Sequence, residues 1–72
     1  MEYNIEGKKI KVILAKSITL GDNHYYAGIF DERLEPINRI FRAFDTLENA
    51  ETWLQASFEK VFPKYKHIYQ GA

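Results

Sequence analysis

The sequence predicts an α+β fold, an antiparallel β-meander of three to four strands with one amphipathic helix packed on one face. Three observations predict it. The first 44 residues consist of strand-prone runs separated by turn signals. A single later segment carries apolar residues at spacings of three and four. The chain has 72 residues and no cysteine, which bounds it to one small domain without disulfides. The expected order is β-β-β-β-α, with 64–70 as a candidate short final strand.

Glu6-Gly7 is the first turn signal, between Tyr3-Asn4-Ile5 and a β-prone run over 8–18. Glycine in the second turn position supplies positive φ cheaply, so a tight hairpin is expected. Along the run, Ile10, Val12 and Leu14 share one face. Lys9, Lys11, Ile13 and Ala15 share the other, which the lysines mark as solvated.

Gly21-Asp22-Asn23 is the second turn, followed by strand formers over 24–30. A loop of two or four residues would pair Ile18 with Tyr25 and Leu14 with Ile29. Tyr25, Ala27 and Ile29 then join the core face, while His24, Tyr26 and Phe30 join the outer face. A three-residue loop would reverse every side chain.

A polar connection over 31–36 leads to a strand over 37–44 with poor alternation. Either Ile37, Phe41 and Ala43 point inward, or Ile40 and Phe44 do. By count alone the first set is preferred.

Asp45 is the expected helix cap, with Glu48 reaching back to it. Leu47, Ala50, Leu54, Phe58 and Val61 form the apolar stripe, flanked by Trp53 and Phe62. Glu48, Glu51, Gln55 and Glu59 are expected to face water. Acids early and Lys60 late suit the helix dipole. Pro63 stops the helix, because the residue before a proline is pushed out of the helical region.

Chemistry-bearing constellations are sparse. Asp22 and His24 lie two apart, but a metal site needs three or four ligands and no third is adjacent. They read as a turn former and a surface strand residue. Ser17 and Ser57 sit in no nucleophile elbow. Glu32 and Glu35 read as solvated loop charges. The glycines at 7, 21, 28 and 71 form no phosphate loop. The expectation is no enzyme, no catalytic residue, no metal and no cofactor.

Lys and Arg total 10, matching 10 Asp and Glu, so the formal net charge is zero. A general nucleic-acid binder gains affinity from excess positive charge, which this chain lacks overall. No apolar run approaches the roughly 20 residues that cross a bilayer, so no membrane partner is expected. The polar, acidic start Met1-Glu2-Tyr3-Asn4-Ile5-Glu6 does not resemble a signal peptide, which points to the cytoplasm.

The stretch Phe44-Asp45-Thr46-Leu47-Glu48-Asn49-Ala50-Glu51-Thr52-Trp53-Leu54 is similar to the junctions that follow the sheets of arm-type phage integrase domains, small antitoxins and some phage-encoded inhibitors of bacterial defence. The similarity encodes a strand-to-helix turn and no chemistry. It implies an architecture shared by protein binders and DNA binders, so fold does not choose between them.

The choice rests on the sheet. Aromatics make up 15% of the chain, generous for so small a core. One helix covers one face of a sheet, so the other face stays bare. That face is expected to carry Lys11, Ile13, Tyr26, Phe30, Ile40 and Arg42, with Phe44 joining Ile40. Contiguous exposed apolar surface marks interaction sites, and Tyr, Phe and Arg are enriched there. The expected function is a small non-enzymatic protein-interaction module, a regulator, inhibitor or adaptor. Its partner is another protein or a second copy. The alternative is a nucleic-acid-binding domain using Lys8, Lys9, Lys11 and Lys16 with the sheet aromatics.

Overall fold

Turn chemistry at Glu6-Gly7 starts the fold. The computed structural model describes residues 1–17, 24–65 and 67–69. Glu6 at φ 51° and Gly7 at φ 80° are both left-handed, which matches the right-handed twist of the strands they join. They connect β1 (Glu2–Ile5) to β2 (Lys8–Lys16). Ile5 faces Lys8 and Glu2 faces Lys11. Met1 continues the pairing, since the Val12 N–H donates to its carbonyl at 2.8 Å.

β2 pairs antiparallel with β3 (Tyr25–Phe30), and β3 with β4 (Pro36–Phe44), giving the sheet order β1-β2-β3-β4. The second pairing departs from expectation by two residues. Leu14 faces Ala27, Val12 faces Ile29, and Tyr25 faces Lys16. Ile18 and the Gly21-Asp22-Asn23 turn lie outside the described residues. A shift of two keeps the side-chain alternation. Val12, Ala27 and Ile29 are therefore core residues, as expected.

The β3–β4 connection is held by Asp31. Its carboxylate accepts from the backbone N–H groups of Arg33 at 2.9 Å and Glu35 at 3.0 Å. Its own backbone N–H donates to the Glu35 carbonyl at 3.0 Å.

β4 contains the irregularity that the sequence pattern hid. Gly28 faces Phe41, yet Phe30 faces Pro36. Residues 37–40 therefore stand opposite Ile29 alone. Asn38 (φ 52°) and Arg39 (φ 59°) are both left-handed and form the bulge. As a result Ile37 and Ile40, three apart, both pack on the helix side, with Phe44 beyond them. Phe41 and Ala43 point the other way. The expected inward set of Ile37, Phe41 and Ala43 is thus wrong for Phe41 and Ala43. The expected outward placement of Ile40 and Phe44 is wrong for both.

Helix α1 (Leu47–Val61) is capped by Thr46, not Asp45. The Thr46 hydroxyl accepts from the Asn49 N–H at 3.2 Å, satisfying a donor that the first turn leaves free. Ala50, Leu54 and Phe58 are fully buried against the sheet, while Leu47 at the helix start is exposed. Trp53 packs at the rim, its ring 5.3 Å from that of Phe44. The Phe62 N–H closes the helix on the Phe58 carbonyl at 2.8 Å.

The described residues after Pro63 contain no strand. Pro63–Tyr65 is a 3-10 turn, continued where the Ile68 N–H donates to the Tyr65 carbonyl at 3.0 Å. This winding carries Tyr69 back over the core, where it is 3% exposed. Gln55 does not simply face water. Its amide donates to the Tyr69 carbonyl at 2.9 Å and ties this segment to the helix. The Phe58, Tyr3 and Tyr69 rings cluster, Phe58 lying 5.8 Å from Tyr3 and 5.2 Å from Tyr69, with the two tyrosines 6.2 Å apart. These tilted contacts suit aromatic quadrupoles and close the core under β1.

Candidate interaction face

All of α1 lies on one side of the sheet, over β3 and β4. The other side carries the alternate residues of each strand. The register sets them in rows. Glu2, Lys11, Phe30 and Pro36 form one row. Ile13, Gly28 and Phe41 form the next, followed by Ala15, Tyr26 and Ala43. Ser17 and His24 continue the pattern, the Ser17 N–H donating to the His24 carbonyl at 2.9 Å. The His24 imidazole lies 3.8 Å from the Asp45 carboxylate at the same end.

Three rings define the centre of this face. Tyr26 and Phe41 stack at 6.1 Å with an interplanar angle of 13°. Phe30 tilts against Phe41 at 5.7 Å. Gly28 makes the row possible. A Cβ there would meet the Phe30 ring at 2.6 Å, so the ring lies across bare backbone. Phe41 remains 52% exposed and Ile13 38% exposed despite this packing.

Four of the six residues expected on the face are on it: Lys11, Ile13, Tyr26 and Phe30. The other two are not. Ile40 is 8% exposed and belongs to the core, because the Asn38–Arg39 bulge turns it inward. Arg42 faces Ala27 on the helix side, where its guanidinium lies over the Phe44 ring at 5.3 Å. Phe41 and Ala43 take their places. The signal for Phe41 was present in the poor alternation of 37–44, which no unbroken strand satisfies.

The lysines of β2 are divided by strand alternation. Lys9 and Lys11 share the aromatic face. Lys8 faces Ile5, and Lys16 lies over the Tyr25 ring at 5.9 Å, both on the other side. Glu2 stands beside Lys11. A groove of about 470 Å3 near the start of β2 carries Lys8, Lys9 and Arg33 beside Asp31 and Glu32, so its charges are mixed.

Among the described residues no three His, Asp or Glu side chains gather to hold a metal. Asp22, expected as a turn former two residues before His24, lies outside them. No helix among the described residues is long and apolar enough to cross a membrane. Burial raises the phenol pKa of Tyr3. It does the same for Tyr69, with Tyr3 and Glu51 adding to the effect. Both shifts belong to the core.

Compared with known proteins, the chain matches no family model, no curated protein and no solved structure.

Proposed function

We propose that this chain is a small non-enzymatic protein-interaction module that binds through the helix-free face of its sheet. The observation that carries the reading is the Tyr26–Phe41–Phe30 row with Ile13 beside it, apolar and aromatic, open to solvent and rimmed by Lys9 and Lys11. A chain that hides Leu54 and Phe58 completely leaves Phe41 half out in water, and contiguous apolar surface of this kind marks association sites. An aromatic centre with a polar rim is the composition of protein interfaces. The small core adds a reason for a partner, since a single core of this size seldom supplies more than about 3–5 kcal/mol.

The test is an affinity capture comparing the natural chain with Phe41→Asp, with and without nuclease. Stoichiometric capture by the natural chain, kept with nuclease and lost in the variant, supports the reading. Equal capture by both refutes it.

Nucleic acid is the second reading, favoured by Lys9 and Lys11 standing beside three rings. The placement of Lys8, Lys16 and Arg42 on the opposite side counts against it. It requires affinity for single strands that falls steeply with salt. The first reading expects no binding at low salt.

A further inference from the structure

We propose that the Asn38–Arg39 bulge is a guard that closes the long free edge of the sheet, β4, to strand addition by another chain. Among the described residues nothing pairs with the outer side of β4. The strand has nine residues, against four in β1 at the opposite edge. Nine residues at about 3.3 Å each would offer roughly 30 Å of edge backbone, half of its N–H and C=O groups unpaired. Such an edge templates pairing with other chains, and proteins blunt it with prolines, bulges and charges. β4 carries all three. Pro36 at its start has no N–H to give. Asn38 and Arg39, at φ 52° and 59°, break the extended backbone, and the Arg39 side chain stands exposed at the break. The regular run that remains, 41–44, pairs with Gly28 back to Tyr25.

The register shows that the bulge is an addition to the strand. From Gly28 to Phe30 β3 advances two residues, whereas the partner residues Phe41 and Pro36 are five apart. Three residues of β4 are therefore extra. Without 38–40, Ile37 would stand opposite Ile29, on the helix side. Phe41 would stay opposite Gly28, on the open face. Both would keep the sides they now have, and the edge would be unbroken. The extra residues include two left-handed positions that are not glycine, and backbone of that kind persists only where the surrounding fold imposes it. The rival purpose is packing, since the bulge also delivers Ile40 to the core. The two purposes differ in what removal of the bulge does to association.

The guard does not depend on what the open face binds. It bears on the manner of binding. A partner seated on Phe30 and Phe41 meets side chains and adds no strand at β4.

The test compares the natural chain with a chain lacking residues 38–40, by sedimentation equilibrium from about 5 μM to about 1 mM. The shortened chain, folded by circular dichroism, is expected to associate at least tenfold more tightly than the natural one. That association should survive Phe41→Asp, because it runs along the edge and not across the face. A folded shortened chain that associates no more tightly than the natural chain overturns the proposal and leaves packing as the purpose of the bulge. The deletion also takes Ile40 from the core, so a second measurement uses the natural chain alone. Amide hydrogen exchange at 41–44 is expected to be the same at both ends of the concentration range. Protection there that grows with concentration and persists in Phe41→Asp shows strand addition at β4 and overturns the proposal. Protection that Phe41→Asp abolishes belongs to the open face and leaves the guard standing. Capture of a partner through Phe41 is read separately, so the guard and the open-face reading fail independently.

Discussion

Gly28→Ala tests how the aromatic row is built. The added methyl would lie 2.6 and 2.8 Å from two atoms of the Phe30 ring and 3.0 Å from the Ile40 carbonyl oxygen. Carbon pairs prefer about 3.5–4.0 Å, so the ring must retreat by about 1 Å. The ring can move, because it lies on the open face. The Ile40 carbonyl cannot, because it is backbone at the edge of the bulge. Overpacking of this kind costs about 1–3 kcal/mol, a large share of what so small a core supplies. Phe30→Ala removes the ring, so Gly28→Ala should cost about 1 kcal/mol less in that background. Urea unfolding of the two single variants and the double variant measures this coupling, which for residues in contact runs at about 0.5–3 kcal/mol. A coupling of zero would refute the claim that Gly28 is the seat of the Phe30 ring.

Thr46→Ala should destabilise by about 1 kcal/mol, because its hydroxyl caps the Asn49 N–H. Asp45→Ala should stay within about 0.5 kcal/mol; thermal unfolding of both decides which residue is the cap. Stability should fall as pH rises above 10.0, the ordinary tyrosine value. The folded state holds the Tyr3 and Tyr69 phenols neutral beyond that point. Their contribution is complete below the unfolded value and is lost as pH climbs through the raised folded values. Tyr69→Phe should flatten this alkaline loss in a urea series from pH 8 to about pH 11; an unchanged slope would show that Tyr69 does not contribute.

Much of this architecture is legible in the residues. The Glu6-Gly7 turn, the alternation of Ile10, Val12 and Leu14, and the Ala50-Leu54-Phe58 stripe each follow from one local periodicity. The β2–β3 register was legible in parity only, since hydrophobic alternation repeats every two residues and tolerates a shift of that size. β4 resisted reading because its pattern has two phases. Ile37 obeys one and Ile40 and Phe44 obey the other, with two left-handed residues joining them. Asn38 tolerates that conformation well, whereas Arg39 gives no local sign of it. The candidate site suffered accordingly. Residues on the regular strands β2 and β3 fell where expected, while Ile40 and Arg42 on the bulged strand fell on the wrong side. The cap slipped by one residue because Asp45 and Thr46 are both competent cap residues, and the hydrogen bond from the Asn49 N–H to the Thr46 hydroxyl distinguishes them.

The central claim is that association runs through the helix-free face, whatever binds there. Photo-crosslinking from two positions tests it most directly. A photoreactive phenylalanine analogue replaces Phe41 in one protein and Glu48, exposed in the first turn of α1, in another. A crosslinked species from position 41, and none from position 48, is the predicted result. Crosslinks from position 48 alone, or from neither position at millimolar concentration and in lysate, would contradict the account.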